Sequence, residues 1–444
     1  MQRKNLIVYT AFCILSIVSM MISKAGQHIA SGLLLCIGAV LLYGYYFAIS
    51  RSLVDLRALL SLFWVGGEGI AAFQLSKLQT EWTITTWICF TGFYIMFLIG
   101  YELCNLFWKT RKAKKKKVYS RAKLSNCLMI CIILIAVGSL TSFITEVIHL
   151  GYVPILSEET HAYSNFHVTG LHYFTVTCMM VHALTLIYIM NRKSRMDRAD
   201  IAMLILCNCM ALLVAVACIS KFQLLLTVAL PAIIYLRMKK DLNYRKIFLW
   251  GGIGIIGVAV VFTLMILRRN YGEGYLNDIF EMKNQNLPMA IQYPYMYIAN
   301  NYANFNCMTE QLVEHSWGIK MLFPVFALTG LKFVFPEMLA FPVYITKTEL
   351  NTLTIIYDAF YDFGIIGVLI FGIVLGGVCA YVTRKTKKSK NPITYLFYGQ
   401  IAMYVFLSFF SAWFSVPTTW FWFAVTAFLY LIVEKGARKS IVSF

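Results

Sequence analysis

Charge is the scarcest property of this chain. Of its 444 residues only 13% are Asp, Glu, Lys or Arg, and the 20 acids are outnumbered by 39 bases. A soluble protein of this length carries roughly 25% charged residues. No CxxC, HExxH or glycine-rich phosphate loop occurs, so the usual zinc, thiol-redox and nucleotide-hydrolysing signatures are missing. Neither an internal repeat of fixed period nor a linker to a soluble domain is visible, and 1–444 reads as one integral membrane domain. What the chain has instead is apolar surface: 60% hydrophobic residues, 16% aromatic, mean hydropathy +0.70. One or two soluble cores could not hide that much. A cytosolic enzyme, a secreted disulfide scaffold and a disordered chain are therefore excluded.

Apolar runs long enough to span a bilayer as helices, about 17–25 residues each, occur at 6–23, 29–49, 58–76, 84–108, 124–148, 169–190, 201–219, 222–236, 247–267, 354–383, 393–411 and 417–433. An all-α polytopic membrane protein with about 12 crossings follows, with the runs at 58–76 and 222–236 the weakest. With both termini cytoplasmic, 30 of the 39 bases fall on the cytoplasmic side, and the outer side keeps nine bases against 13 acids. That is the positive-inside asymmetry. It explains the net charge of +19 without nucleic acid, and makes Lys109–Lys123 an orientation signal against anionic headgroups. The expected location is a bacterial inner membrane, with the first run retained as a span and not cleaved as a signal peptide. The stretch 319–335 is apolar, but a crossing there would put the basic run 384–390 outside. It reads as a re-entrant or membrane-resting helix within one long extracytoplasmic loop, 268–353, and long loops usually carry function.

Chemistry in such a protein belongs where charge sits at or inside the apolar layer. Lys221 stands in a tight turn between two apolar runs. It either snorkels to headgroups or aims an ammonium into an outward cavity. Arg268 and Arg269 close the ninth run at its outer end, against the charge asymmetry. Either a salt bridge to Glu273, Glu310 or Glu314 explains them, or a phosphate matched to the guanidinium fork does. In the long loop, tyrosines such as Tyr295 alternate with asparagines in the composition a sugar-binding surface needs, or in that of an interfacial belt. Glu310 and His315 offer proton-transfer groups there, or simply a polar helix face. The stretch Asn351-Thr352 to Gly364 opens the tenth run. Asp358 and Asp362 lie four apart on one helical face, with Tyr357 and Tyr361 beside them. Gly364, Gly367, Gly372, Gly376 and Gly377 follow, and small residues let helices approach closely. Glu68, inside the third run, is an intramembrane acid with either a functional or a buried structural role.

Several of these pieces together resemble the O-antigen and capsular polysaccharide polymerases (Wzy-type oligosaccharide repeat unit polymerases). They are Gly151-Tyr152-Val153-Pro154-Ile155-Leu156, the Ser220-Lys221 turn, and Asn351-Thr352 followed by Asp362-Phe363-Gly364-Ile365-Ile366-Gly367. Lys221 departs from the Arg usual in that family. The resemblance implies a membrane glycosyltransferase whose donor is a glycan on undecaprenyl diphosphate and whose acceptor is another lipid-linked repeat unit. Lys221, Arg268 and Arg269 would then hold the diphosphate. The catalytic group would come from Asp358, Asp362, Glu310 and His315, and Tyr295, Asn351, Thr352 and Tyr357 would touch sugar. No metal and no cofactor is implied. Partners would be the lipid-linked oligosaccharide, membrane lipid and a chain-length regulator protein. Two related activities stand beside it: a lipid-linked oligosaccharide flippase, for which repeats and mid-span cations would be expected, and an O-antigen ligase, which shares the donor.

Overall fold

A computed structural model describes residues 3–109, 119–157, 162–192, 195–239 and 274–438, with scattered positions between 241 and 257. Among the described residues there is no strand, only two isolated bridges, Ser76 with Met282 and Tyr119 with Arg438. The helices are α1 (Arg3–Lys24), α2 (His28–Ser50), α3 (Leu56–Leu60), α4 (Gly66–Ala72), α5 (Ile84–Lys109), α6 (Arg121–Leu150), α7 (Ala162–Asn165), α8 (His172–Thr175), α9 (Met179–Asn191), α10 (Arg198–Ala217) and α11 (Lys221–Met238). They continue as α12 (Tyr275–Phe280), α13 (Met289–Gln311), α14 (Ile319–Leu328), α15 (Tyr357–Lys388), α16 (Ile393–Phe406) and α17 (Pro417–Gly436).

Eight of the described helices are long and apolar enough to cross a membrane: α1, α2, α5, α6, the helical run His172–Asn191, α10, α15 and α17. Each coincides with an expected crossing. Three apolar helices are shorter, Phe222–Met238, Ile319–Leu328 and Ile393–Phe406. The protein is thus an all-α polytopic membrane protein. The count of 12 is not reproduced among the described residues, for three reasons. The runs at 222–236 and 393–411 fold as short helices, 247–267 lies largely outside the described residues, and the third run is broken. In that third run a π-helical turn, Ser61–Val65, separates α3 from α4. The Ser61 hydroxyl donates to the Arg57 carbonyl at 2.7 Å, a bond that competes with the regular helix ladder. Ile319–Leu328 has only ten residues, in keeping with a helix that does not cross.

The chain divides into two compact units, one of residues 1–112, 272–384 and 404–420, the other of 113–271, 385–403 and 421–444. In the first, α5 packs on α15 through glycines. A Cβ on Gly376 would overlap the Phe97 carbonyl oxygen, one on Gly100 would overlap the Ile373 carbonyl oxygen, and one on Gly372 would come to 2.8 Å from the Phe93 carbonyl oxygen. The backbones touch because nothing larger than hydrogen stands between them. An aromatic core of Trp64, Phe90, Phe93 and Tyr302 fills the space beside α4, and the Tyr302 hydroxyl donates to the Trp64 carbonyl at 2.8 Å. Glu68 is fully buried in α4, and neither carboxyl oxygen has a hydrogen-bond partner among the described residues.

The second unit is built around α6, α9, α10 and α11. Small and medium side chains (Cys131, Ala136, Ala183, Cys207, Ala211) are fully buried or nearly so there. Asn208 on α10 bridges to α9, its Oδ1 accepting from His182 Nδ1 at 2.7 Å and its Nδ2 donating to the Thr185 hydroxyl at 2.9 Å. Such polar ties supply between apolar helices some of the attraction that burial cannot supply in lipid.

Candidate functional site

Two clusters of titratable side chains stand out, one in each unit. The first forms at a break in α15. The sequence pattern alone expects one continuous helix with Asp358 and Asp362 on a single face. The backbone instead leaves helical geometry at Phe363 and at Gly364, which has φ 59° and ψ −146°. A side chain at 364 would be strained there, so the Asp-Phe-Gly sequence marks a kink. The kink frees the carbonyls of Tyr361 and Asp362 from the helix ladder, and the loop before α14 takes them. Ser316 N–H donates to Tyr361 O at 3.2 Å and Trp317 N–H donates to Asp362 O at 3.3 Å.

The Asp362 carboxylate completes the joint. It accepts from the Ser316 hydroxyl and from the backbone N–H groups of Lys320 (3.1 Å) and Met321 (2.8 Å). Those two N–H groups belong to the first turn of α14, where helix donors lack partners and an anion is favoured. Asp362 is therefore a helix cap, fully buried and saturated. Its neighbour His315 donates from Nδ1 to the Tyr361 carbonyl at 3.1 Å, with Nε2 as its other ring nitrogen. A Cβ built on Gly364 would lie 3.3 Å from that Nε2. Half-buried His315 thus lies against the kink, with exposed Trp317 and Phe363 beside it. Lys320 Nζ lies 4.6 Å from the Tyr361 ring centroid and 5.5 Å from that of Phe341, and Asp358 is buried.

Most of the remaining expected residues of this unit make hydrogen bonds within the fold. Glu310 is exposed and accepts from Asn306 at 2.8 Å. Tyr295 is buried: its hydroxyl donates to Gln79 at 2.6 Å and accepts from Leu75 N–H at 2.8 Å. The Tyr357 hydroxyl both accepts from and donates to the Tyr344 backbone at 2.9 Å. The Thr352 hydroxyl donates to Asn301, and its carbonyl accepts from Asn304 at 2.9 Å. Asn351 is exposed. The asparagine ladder of α13 is turned inward, tying down the segment 346–352, with Asn300, Asn301 and Asn304 all buried. Arg268 and Arg269 lie outside the described residues. Lys221 opens α11, capped by the Ser220 hydroxyl, which accepts from Gln223 N–H at 3.4 Å, and the Lys221 side chain lies outside what is described.

The second cluster was not among the expected site residues. Glu146, near the end of α6, is completely buried, yet its carboxylate accepts three hydrogen bonds. They come from Val168 N–H at 2.9 Å, His172 Nδ1 at 3.0 Å and the Thr175 hydroxyl at 2.7 Å. Because the carboxylate only accepts, His172 carries its proton on Nδ1 and turns Nε2 toward the Tyr163 hydroxyl, 3.2 Å away. That hydroxyl accepts in turn from Gln223 Nε2 at 2.6 Å. Burial pushes the Tyr163 phenol well above its ordinary range, so it is a neutral donor at physiological pH. Gln223 is buried, and its Oε1 has no hydrogen-bond partner among the described residues. No local motif announces this chain of groups, since its members come from 146, 163, 172 and 223. The one signal available was an acid inside an apolar run, which drew attention to Glu68 but applied equally to Glu146.

Among the described residues no group of three or more His, Cys, Asp or Glu could hold a metal ion. The fold defines a polytopic α-helical membrane protein with acid–base side chains gathered in polar joints between its helices. Residues 68–279 match the family model described as "Putative O-antigen polymerase", and this match, over a little under half of the chain, supports the Wzy-type resemblance read from the sequence. The role it supports in general terms is polysaccharide polymerisation by a membrane enzyme. No curated protein and no solved structure matches the chain. The matched stretch contains Glu146, Tyr163, His172, Lys221 and Gln223, and ends before His315, Asp358 and Asp362.

Proposed function

We propose that this protein joins lipid-diphosphate-linked oligosaccharide repeat units into a surface polysaccharide at the extracytoplasmic face of the bacterial inner membrane. A growing glycan on undecaprenyl diphosphate is the donor, and the terminal hydroxyl of another lipid-linked unit attacks its anomeric carbon. The observation that carries the reading is the family match over residues 68–279. The charge asymmetry supports the placing of the termini inside and of segment 268–353 outside. Lys221, Arg268 and Arg269 are the cations assigned to the leaving diphosphate, where preorganised positive charge lowers the barrier most. A chain-length regulator is the protein partner this reaction calls for.

In the first unit, His315 and Asp358 are assigned to contact with the sugar, and Trp317 supplies an exposed aromatic face for it. Asp362 holds the joint on which they sit, and Glu310, Tyr295, Asn351, Thr352 and Tyr357 contribute by shaping segment 268–353 around them. His315→Ala and Trp317→Ala are each expected to lower high-molecular-weight polymer about five- to tenfold, the loss of about one hydrogen bond or contact of 1–1.5 kcal/mol. The check is a gel ladder of surface polysaccharide from a deletion strain carrying each variant. Wild-type ladders from both variants would remove this surface from the sugar path. Accumulation of lipid-linked units on the cytoplasmic leaflet in the deletion strain would make the protein a flippase instead.

A further inference from the structure

The second cluster has the connectivity of an acid–base relay. A buried carboxylate fixes one nitrogen of an imidazole, the other nitrogen faces a hydroxyl, and a side-chain amide donates to that same hydroxyl. A carboxylate in this position fixes the imidazole tautomer and compensates the imidazolium charge when a proton arrives. Ordinary helix packing does not call for the arrangement. Thr175 and Val168 already satisfy Glu146 in part, and a Gln three residues beyond a Ser cap usually reaches back to that cap. Here Gln223 reaches Tyr163 instead, and its buried Oε1 is left as an acceptor with no donor among the described residues. Tyr163 is half-buried, and the two residues after it, Ser164 and Asn165, are exposed.

We propose that Glu146, His172 and Tyr163 form the relay that takes the proton from a carbohydrate hydroxyl, with Gln223 Oε1 as the acceptor that orients that sugar. The proposal rests on the polymerase reading above and names its proton acceptor. As the acceptor oxygen bonds to the donor's anomeric carbon, the bond from that carbon to the diphosphate oxygen breaks. The lipid diphosphate leaves with the electron pair. The hydroxyl proton passes to Tyr163 Oη while the Tyr163 proton passes to His172 Nε2, so no free phenolate is formed. The Gln223 N–H stabilises the charge that builds on Oη during the transfer. Glu146 faces the resulting imidazolium, which returns its proton to water before the next cycle. Tyr163 is the catalytic residue, and His172 and Glu146 are positioning residues that act through it.

The test uses full-length protein in membranes, supplied with lipid-linked repeat units extracted from a deletion strain. His172→Ala and Tyr163→Phe are expected to lose about 100-fold or more in kcat, the ordinary worth of general base catalysis, with donor KM changed less than threefold. Added imidazole is expected to restore His172→Ala by at least tenfold, a readout that a purely structural role would not move. Ser164→Ala, at an exposed residue that bonds no member of the relay, is expected to stay within about threefold of wild type and controls for folding. Near-wild-type turnover in His172→Ala or Tyr163→Phe overturns the relay. So does a loss without imidazole rescue while Ser164→Ala stays active. Wild-type protein that fails to lengthen these lipids overturns the polymerase reading itself, and the relay with it.

Discussion

Gly376→Leu is expected to yield no folded protein on expression, whereas Gly376→Ala should yield a destabilised one and Gly44→Ala should be neutral. The reason is geometric. A Cβ at 376 would overlap the Phe97 carbonyl oxygen and sit 2.8 Å from Tyr101 N, both main-chain atoms of α5. Backbone cannot rotate away as a side chain can, so α15 must move off α5 along its length. That separation opens a gap at Gly100 and Gly372, the other two points of main-chain approach. In lipid there is little hydrophobic gain to compensate, because helix association there depends on close packing. Overpacking costs about 1–3 kcal/mol even where side chains can adjust. Here the clash is with backbone, so the expected cost is about 4–5 kcal/mol or more, the range reserved for the most disruptive substitutions. Gly44 has nothing within 4 Å of its would-be Cβ, which makes its alanine variant the control. The measurement is monodisperse recovery in detergent with the thermal midpoint of each variant. A Gly376→Leu protein that melts within a few degrees of wild type would mean the two helices do not touch here.

The same residues show what was legible in advance. Long apolar helices needed no structure, since in lipid the backbone must satisfy itself and 20 apolar residues admit one solution. The glycines of α15 were readable as points of close approach because small residues in an apolar helix let a neighbouring helix come near. Three things were not readable. The kink at Gly364 depends on a tertiary partner, the loop 312–318, to take the freed carbonyls, and periodicity carries no information about partners. The asparagines of α13 have a sugar-binding composition, yet they face inward to hold 346–352, because composition does not say which way a side chain points. The chain Glu146–His172–Tyr163–Gln223 draws on four separated segments, and a single sequence offers no spacing that would join them.

The second large effect concerns Asp362. Asp362→Ala is expected to destabilise the first unit by about 3–5 kcal/mol and to make segment 312–318 the earliest site of proteolysis. The carboxylate receives three donors, and hydrogen bonds to a charged group contribute about 1.5–3 kcal/mol each. Their sum overstates the cost, because Lys320 N–H and Met321 N–H open a helix whose first donors can turn to water. Asp362→Asn is expected to fall between alanine and wild type. It keeps the shape, but it loses the charge that favours a helix N-terminus and turns one donor toward another. Loss of the cap releases Ser316 and Trp317 from the kink carbonyls, and with them the hold of Tyr361 O on His315 Nδ1. Polymer yield should therefore fall in step with stability across Asn and Ala. Thermal melting and timed proteolysis of purified protein decide the matter. If Asp362→Ala melts like wild type while polymer disappears, Asp362 acts on substrate and not as a cap. If both are unchanged, the loop before α14 is held by its backbone bonds alone.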